Sequence, residues 1–230
     1  MKAFHGDQKI KDKYLARVLA HQKADEIVKG QYWEKGRCCA VGCTIHSSNH
    51  KAYEDELGIP EWLARVEDVL FEGMPLEDAK EWPYKFLDSI KPGLDLEKLK
   101  APFMIYILES ILDKFDHDKC PDVKSSIDDV INLYKNGGSK EDFEIAARAA
   151  RAAEMGWAAE AATRAARAAE AAEAAEAAAR AAAEMGGAAE AAARAAIRAA
   201  EMEWAAEAAA RAAVYKKFAD KLIELIEGLK

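Results

Sequence analysis

The sequence predicts an all-α protein, with a compact multi-helix head over residues 1–138 and an alanine-rich helical repeat region over 139–230. Three observations predict it. Apolar residues of the head recur at helical spacing between Gly and Pro stops, and no stretch alternates at period two for long enough to suggest a sheet. Beyond the head, 40 of the 68 residues from Ala146 to Ala213 are alanine, the strongest helix former. Alanine buries little apolar surface, so the large side chains that can build a core are concentrated in the head.

The elements follow in order. A first helix is expected from Gln8 to Val28, with Ile10, Tyr14, Leu15, Val18 and Leu19 on one side and Gly30 as its stop. Tyr53–Leu57 should be helical and end at Gly58. Pro60 fits the first position of the next helix, where a missing N–H costs nothing. Its stripe is Trp62, Leu63, Val66, Val69 and Leu70, and Gly73 closes it. Pro75 and Pro83 should open two short helices, with Pro92-Gly93 ending the second. Asp95 can cap a segment that Pro102 restarts. The run from Phe103 to Leu108, continued by Ile111, Leu112 and Phe115, is apolar nearly all round and predicts the most buried helix. Pro121 begins another, with Val123, Ile127, Val130, Ile131 and Tyr134 inward.

Asn136-Gly137-Gly138 marks the boundary, and Ser139 with Asp142 has capping-box spacing. The tail repeats itself imperfectly at Glu154-Met155-Gly156-Trp157, Glu184-Met185-Gly186-Gly187 and Glu201-Met202-Glu203-Trp204. Gly186-Gly187 is its expected break, which predicts a helical hairpin packed on the head. Trp157, Ile197 and Trp204 are its bulky anchors, and the apolar residues from Val214 to Ile226 tie down its end.

Charge and cysteine usage bound the function. The chain has 41 acidic against 33 basic residues, a net charge of −8. That argues against nucleic acid and anionic membranes as partners, since either needs a basic face. The longest apolar run without alanine is too short to span a bilayer. Four cysteines are too few for a disulfide scaffold and point to a reducing, cytoplasmic setting.

The stretch from Tyr32 to His46 carries the candidate chemistry. On a helix starting at Cys38, the residues Cys39, Cys43, His46 and His50 fall on a face about 60° wide. Two thiols and two imidazoles are donors that zinc or iron accepts. One ion cannot reach all four along a straight helix, so Cys39, Cys43 and His46 would need a further donor, His5 or His21. A redox reading uses the same residues: a thiol near a helix start and beside Arg37 gains nucleophilicity, with His46 as its proton partner. The third reading is packing of small thiols where helices approach closely. Asp116-His117-Asp118 beside Cys120 reads as a polar turn. No phosphate loop and no nucleophile elbow is present. Whether the chain is an enzyme is left open. The alternative to a metal or redox-thiol centre is a non-enzymatic structural or interaction protein, whose alanine-rich helices self-associate or hold a protein partner.

His5-Gly6-Asp7, Tyr14–Val18, Cys39–His46 and Leu57–Arg65 together resemble segments of a family of uncharacterised bacterial all-helical proteins. That family has a Gly-Cys-Ala-Val-Gly-Cys-Thr-x-His segment and an alanine-rich C-terminal tail. The present chain has Cys38 where that pattern has glycine. The resemblance implies the helical head and brings no reaction with it.

Overall fold

The computed structural model describes residues 1–34, 36–112, 121–139, 141–142, 145–146 and 209–230. They fall into two compact units, Met1–Phe103 with Ala208–Lys230, and Met104–Glu207. The repeats with Trp157, Ile197 and Trp204, the expected break at Gly186-Gly187, and the turn from Asp116 to Cys120 lie outside the described residues.

The first unit is helical. Asp7 caps α1 (Gln8–Lys23), its carboxylate accepting from the Lys9 N–H at 2.8 Å. A two-stranded antiparallel hairpin follows, β1 (Trp33–Glu34) and β2 (Arg37–Cys38), with Trp33 opposite Cys38. Four more helices come next: α2 (Ala40–Ile45), α3 (Ala52–Leu57), α4 (Glu61–Gly73) and α5 (Leu76–Ser89). Helix α1 packs on α5 and α2, and α2 packs on α4 and α5. Every residue of α2 is buried, so this six-residue helix is the centre of the unit. Tyr14 and Val18 of α1, Leu63 and Phe71 of α4, and Phe86 and Leu87 of α5 fill the core around it.

Several elements differ from the sequence expectation. Helix α1 ends at Lys23 instead of Val28, because Asp25 turns into the left-handed region (φ 53°) and residues 26–28 join the backbone of Cys38. Pro60 is the N-cap of α4 instead of its first residue. Pro83 lies inside α5 and opens no helix. It costs the bond to the Ala79 carbonyl, while its buried ring and the buried Trp82, Phe86 and Leu87 hold the helix in the core. Asp95 caps a 3-10 turn (Leu96–Leu99) that leads into α6 (Lys100–Leu112). Helix α6 is not the most buried helix: Phe103 is fully buried, but Met104 to Leu108 are only half-buried.

In the second unit α7 (Pro121–Asn136) turns Ile131 inward. Lys135 of α7 pairs with Glu109 at 3.0 Å. The capping box is formed: the Asp142 N–H donates to the Ser139 hydroxyl (3.2 Å), and the Ser139 N–H donates to the Asp142 carboxylate (2.8 Å).

The C-terminal helical segment 209–228 belongs to the first unit and buries Phe218, Ala219, Leu222 and Ile226. Its Tyr215 ring lies directly over Gly73, where an added Cβ would stand 2.3 Å from ring carbon Cγ. Gly73→Ala is therefore expected to displace Tyr215 and cost about 1–3 kcal/mol, the usual penalty for overpacking. Denaturant titration checks it, and a variant with an unchanged midpoint would show that the ring is not seated there. Among the described residues no helix is long and apolar enough to cross a membrane.

Candidate functional site

The last turn of α1, the hairpin and α2 meet at one cluster. Backbone pairing fixes the meeting point. The Cys38 N–H donates to the Glu26 carbonyl (2.9 Å), the Val28 N–H to the Cys38 carbonyl (2.8 Å), and the Cys39 N–H to the Gln31 carbonyl (2.6 Å). Arg17 reaches from α1 to the Thr44 carbonyl at 2.7 Å, closing the helix pair.

Cys38 and Cys43 are joined by a disulfide, with their Cα atoms 5.1 Å apart. Both residues are fully buried. A ring nitrogen of His21 and the two sulfurs lie within 4.8 Å of one another. The His21 side chain is 12% exposed, and its Nδ1 is 2.7 Å from a Glu26 carboxylate oxygen. Its Nε2 is 2.9 Å from Nε2 of His46. With Glu26 accepting the Nδ1 proton, His21 Nε2 is an acceptor and His46 donates the proton between the two rings. His46 lies outside the 4.8 Å group and touches it through His21. The His46 ring stacks on Trp33 at 4.0 Å between centroids, and the edge of His21 meets both rings. Partial desolvation, then the charge of Arg17, holds His46 below the ordinary imidazole range, which favours a neutral ring.

Local sequence explains the arrangement. Cys39 is the N-cap of α2, and its sulfur accepts from the Gly42 N–H at 3.5 Å. His46 ends the same helix in the left-handed conformation. Six residues make fewer than two turns, so Cys43 points back to the strand residue Cys38 instead of joining a longer cysteine–histidine face.

The expected ligand residues separate accordingly. Cys43, His21 and His46 gather at the cluster. Cys39 faces elsewhere, towards Asp68, and burial pushes its thiol well above the ordinary range. The activation expected from the helix start and Arg37 is absent: burial outweighs it, and Arg37 is exposed. His50 is on no common face with Cys43; its Nε2 meets the Asp68 carboxylate at 3.3 Å. His5 is exposed, with its Nε2 3.2 Å from the Asp55 carbonyl. Neither Cys39 nor His5 is brought to the His21 group.

Sequence reasoning missed Cys38 and Glu26. Cys38 carries one signal in the sequence, a thiol five residues before Cys43. Glu26 has no local signal, because it faces His21 only after α1 has ended.

No protein-family model matches the chain, and neither the curated proteins nor the solved structures contain a significant match.

Proposed function

We propose that Cys38, Cys43, His21 and His46 form a divalent-metal centre, with zinc as its ion and the two cysteines as thiolates. One observation carries the reading: two sulfurs and a ring nitrogen of His21 converge within 4.8 Å, and a carboxylate holds Nδ1 of that ring, which leaves Nε2 to face an ion. Carboxylate–histidine pairs of this kind orient ligating imidazoles and raise their basicity. His46 completes a Cys2His2 set, which suits a closed tetrahedral zinc site better than an iron site. A proton now lies between the two Nε2 atoms at 2.9 Å. Two zinc–nitrogen bonds at the tetrahedral angle need those atoms ~3.3 Å apart, a small displacement. Four protein donors leave no position for water, so the centre is structural and ties the end of α1 to the hairpin and α2.

The test is metal analysis of the full chain, purified reduced and without a histidine tag. One equivalent of zinc is expected, lost in Cys43→Ser. The cobalt-substituted protein should show thiolate-to-cobalt charge transfer. Glu26→Gln should weaken zinc by ~10–100-fold, the usual cost of removing such an outer partner. Zinc that is absent, or indifferent to Cys43→Ser, would remove the reading.

The disulfide between the same two sulfurs supports a second reading, thiol–disulfide exchange. The two share their atoms.

A further inference from the structure

We infer that this centre is a redox-gated metal site, in which joining Cys38 to Cys43 expels the ion and reduction restores it. The inference rests on the metal reading above. Cys38 and Cys43 cannot serve in both states at once, because a disulfide has no thiolate to offer a metal. Their Cα atoms are 5.1 Å apart, within the span that a disulfide needs. Zinc–sulfur bonds of ~2.3 Å would hold the two sulfurs ~3.8 Å apart, a separation that turning the two side chains about Cα atoms 5.1 Å apart can supply. One backbone therefore serves both states with side-chain rearrangement alone.

The chemistry balances with a low-molecular-weight disulfide as oxidant. One thiolate attacks it, forming a mixed disulfide and releasing one thiolate of the oxidant. The second cysteine attacks the mixed disulfide, closes the Cys38–Cys43 bond and releases the other. Two electrons pass from the cysteines to the oxidant. The two released thiolates take up two protons, and the divalent ion departs with its charge.

Access and consequence are both legible at the cluster. The sulfurs are buried, while Trp33 is 38% exposed and His46 is also exposed. These two stacked rings, both against His21, are the exposed side of the cluster from which an oxidant would approach. The ion would bind α1, the hairpin and α2 together. The disulfide binds only the hairpin to α2, leaving His21 held by Glu26, His46 and its helix. Oxidation should thus loosen the junction after α1 selectively, over residues 21–34.

The experiment uses the full chain carrying Cys39→Ser and Cys120→Ser, so that only Cys38 and Cys43 titrate. The reduced, zinc-loaded protein is titrated with glutathione disulfide while a chromophoric chelator reads free zinc and a thiol reagent reads free thiols. One zinc released per two thiols lost is expected, with mass spectrometry placing the bond at 38–43. Dithiothreitol and zinc should reverse both signals, and hydrogen exchange over 21–34 should rise on oxidation. Zinc that stays bound while the disulfide forms would overturn the gating. So would thiols that stay inert at oxidant concentrations that titrate the zinc-free protein. Failure to load zinc at the first step sinks the metal reading itself, a result distinct from either.

Discussion

Glu67→Gln will stabilise the protein at pH 8 and leave it nearly unchanged at pH 5. Glu67 lies in α4, is fully buried, and neither of its carboxylate oxygens has a hydrogen-bond partner among the described residues. Burial pushes its pKa up to about 8, against the opposing pull of the nearby Tyr53 hydroxyl. The folded protein therefore holds this proton between about pH 4.5 and 8, while the unfolded chain has released it. More protons bound in the folded state means that stability falls as pH rises through that window and levels off above it. At ~1.4 kcal/mol per unit, a shift of this size is worth on the order of 3–5 kcal/mol. Glutamine keeps the shape and cannot ionise, so it removes the slope. Denaturant midpoints of the two proteins from pH 5 to pH 8.5 should diverge on the alkaline side. Parallel profiles would mean that Glu67 does not carry the proton.

That buried acid was not legible in the sequence, and the reason is instructive. Glu67 and Asp68 sit among Arg65 and Glu72 in a stretch that reads as a solvated face, yet both are buried. Burial there is set by what packs across α4: Trp82 of α5 donates to the Glu67 carbonyl (3.1 Å), and His50 reaches Asp68. Neither partner has a fixed sequence offset. Local signals fared better. Asp95, the Ser139–Asp142 box and Gly58 mark real helix ends, because capping and left-handed residues act within one turn, and α4 stops at Gly73 as expected. The cluster was half legible. Helical periodicity grouped Cys43 with His46 and left His21 as a candidate donor. Treating Cys38 to His50 as one helix hid the strand that carries Cys38. A two-residue strand paired through residues 26–28 leaves no periodic trace.

Gly42→Ala is expected to disrupt the cluster and the fold together. An added Cβ would stand 1.4 Å from the Tyr32 carbonyl oxygen and 2.5 Å from its carbon, with Cys38 Cβ at 3.1 Å. The two Tyr32 atoms are backbone of the segment that the Cys39 N–H holds at 2.6 Å through the Gln31 carbonyl. No rotamer change can relieve the clash, so α2 must part from residues 31–33. Alanine's helix propensity works in the opposite direction by ~1 kcal/mol. The steric term wins, because α2 is buried throughout and has no room to retreat. The expected loss is on the order of 3–5 kcal/mol, the range of severe core substitutions. Displacing α2 also carries Cys43 and His46 away from Cys38 and His21, so the disulfide and the zinc affinity should fall together. Gly30→Ala is the control. Gly30 has a left-handed φ of 74° but nothing within 4 Å of its added Cβ, so only backbone strain of ~1 kcal/mol is expected. Denaturation midpoints and thiol counts of the two variants decide it: a Gly42→Ala protein within ~1 kcal/mol of the parent, with its disulfide intact, would refute the close approach of α2 to Tyr32 on which the whole centre is built.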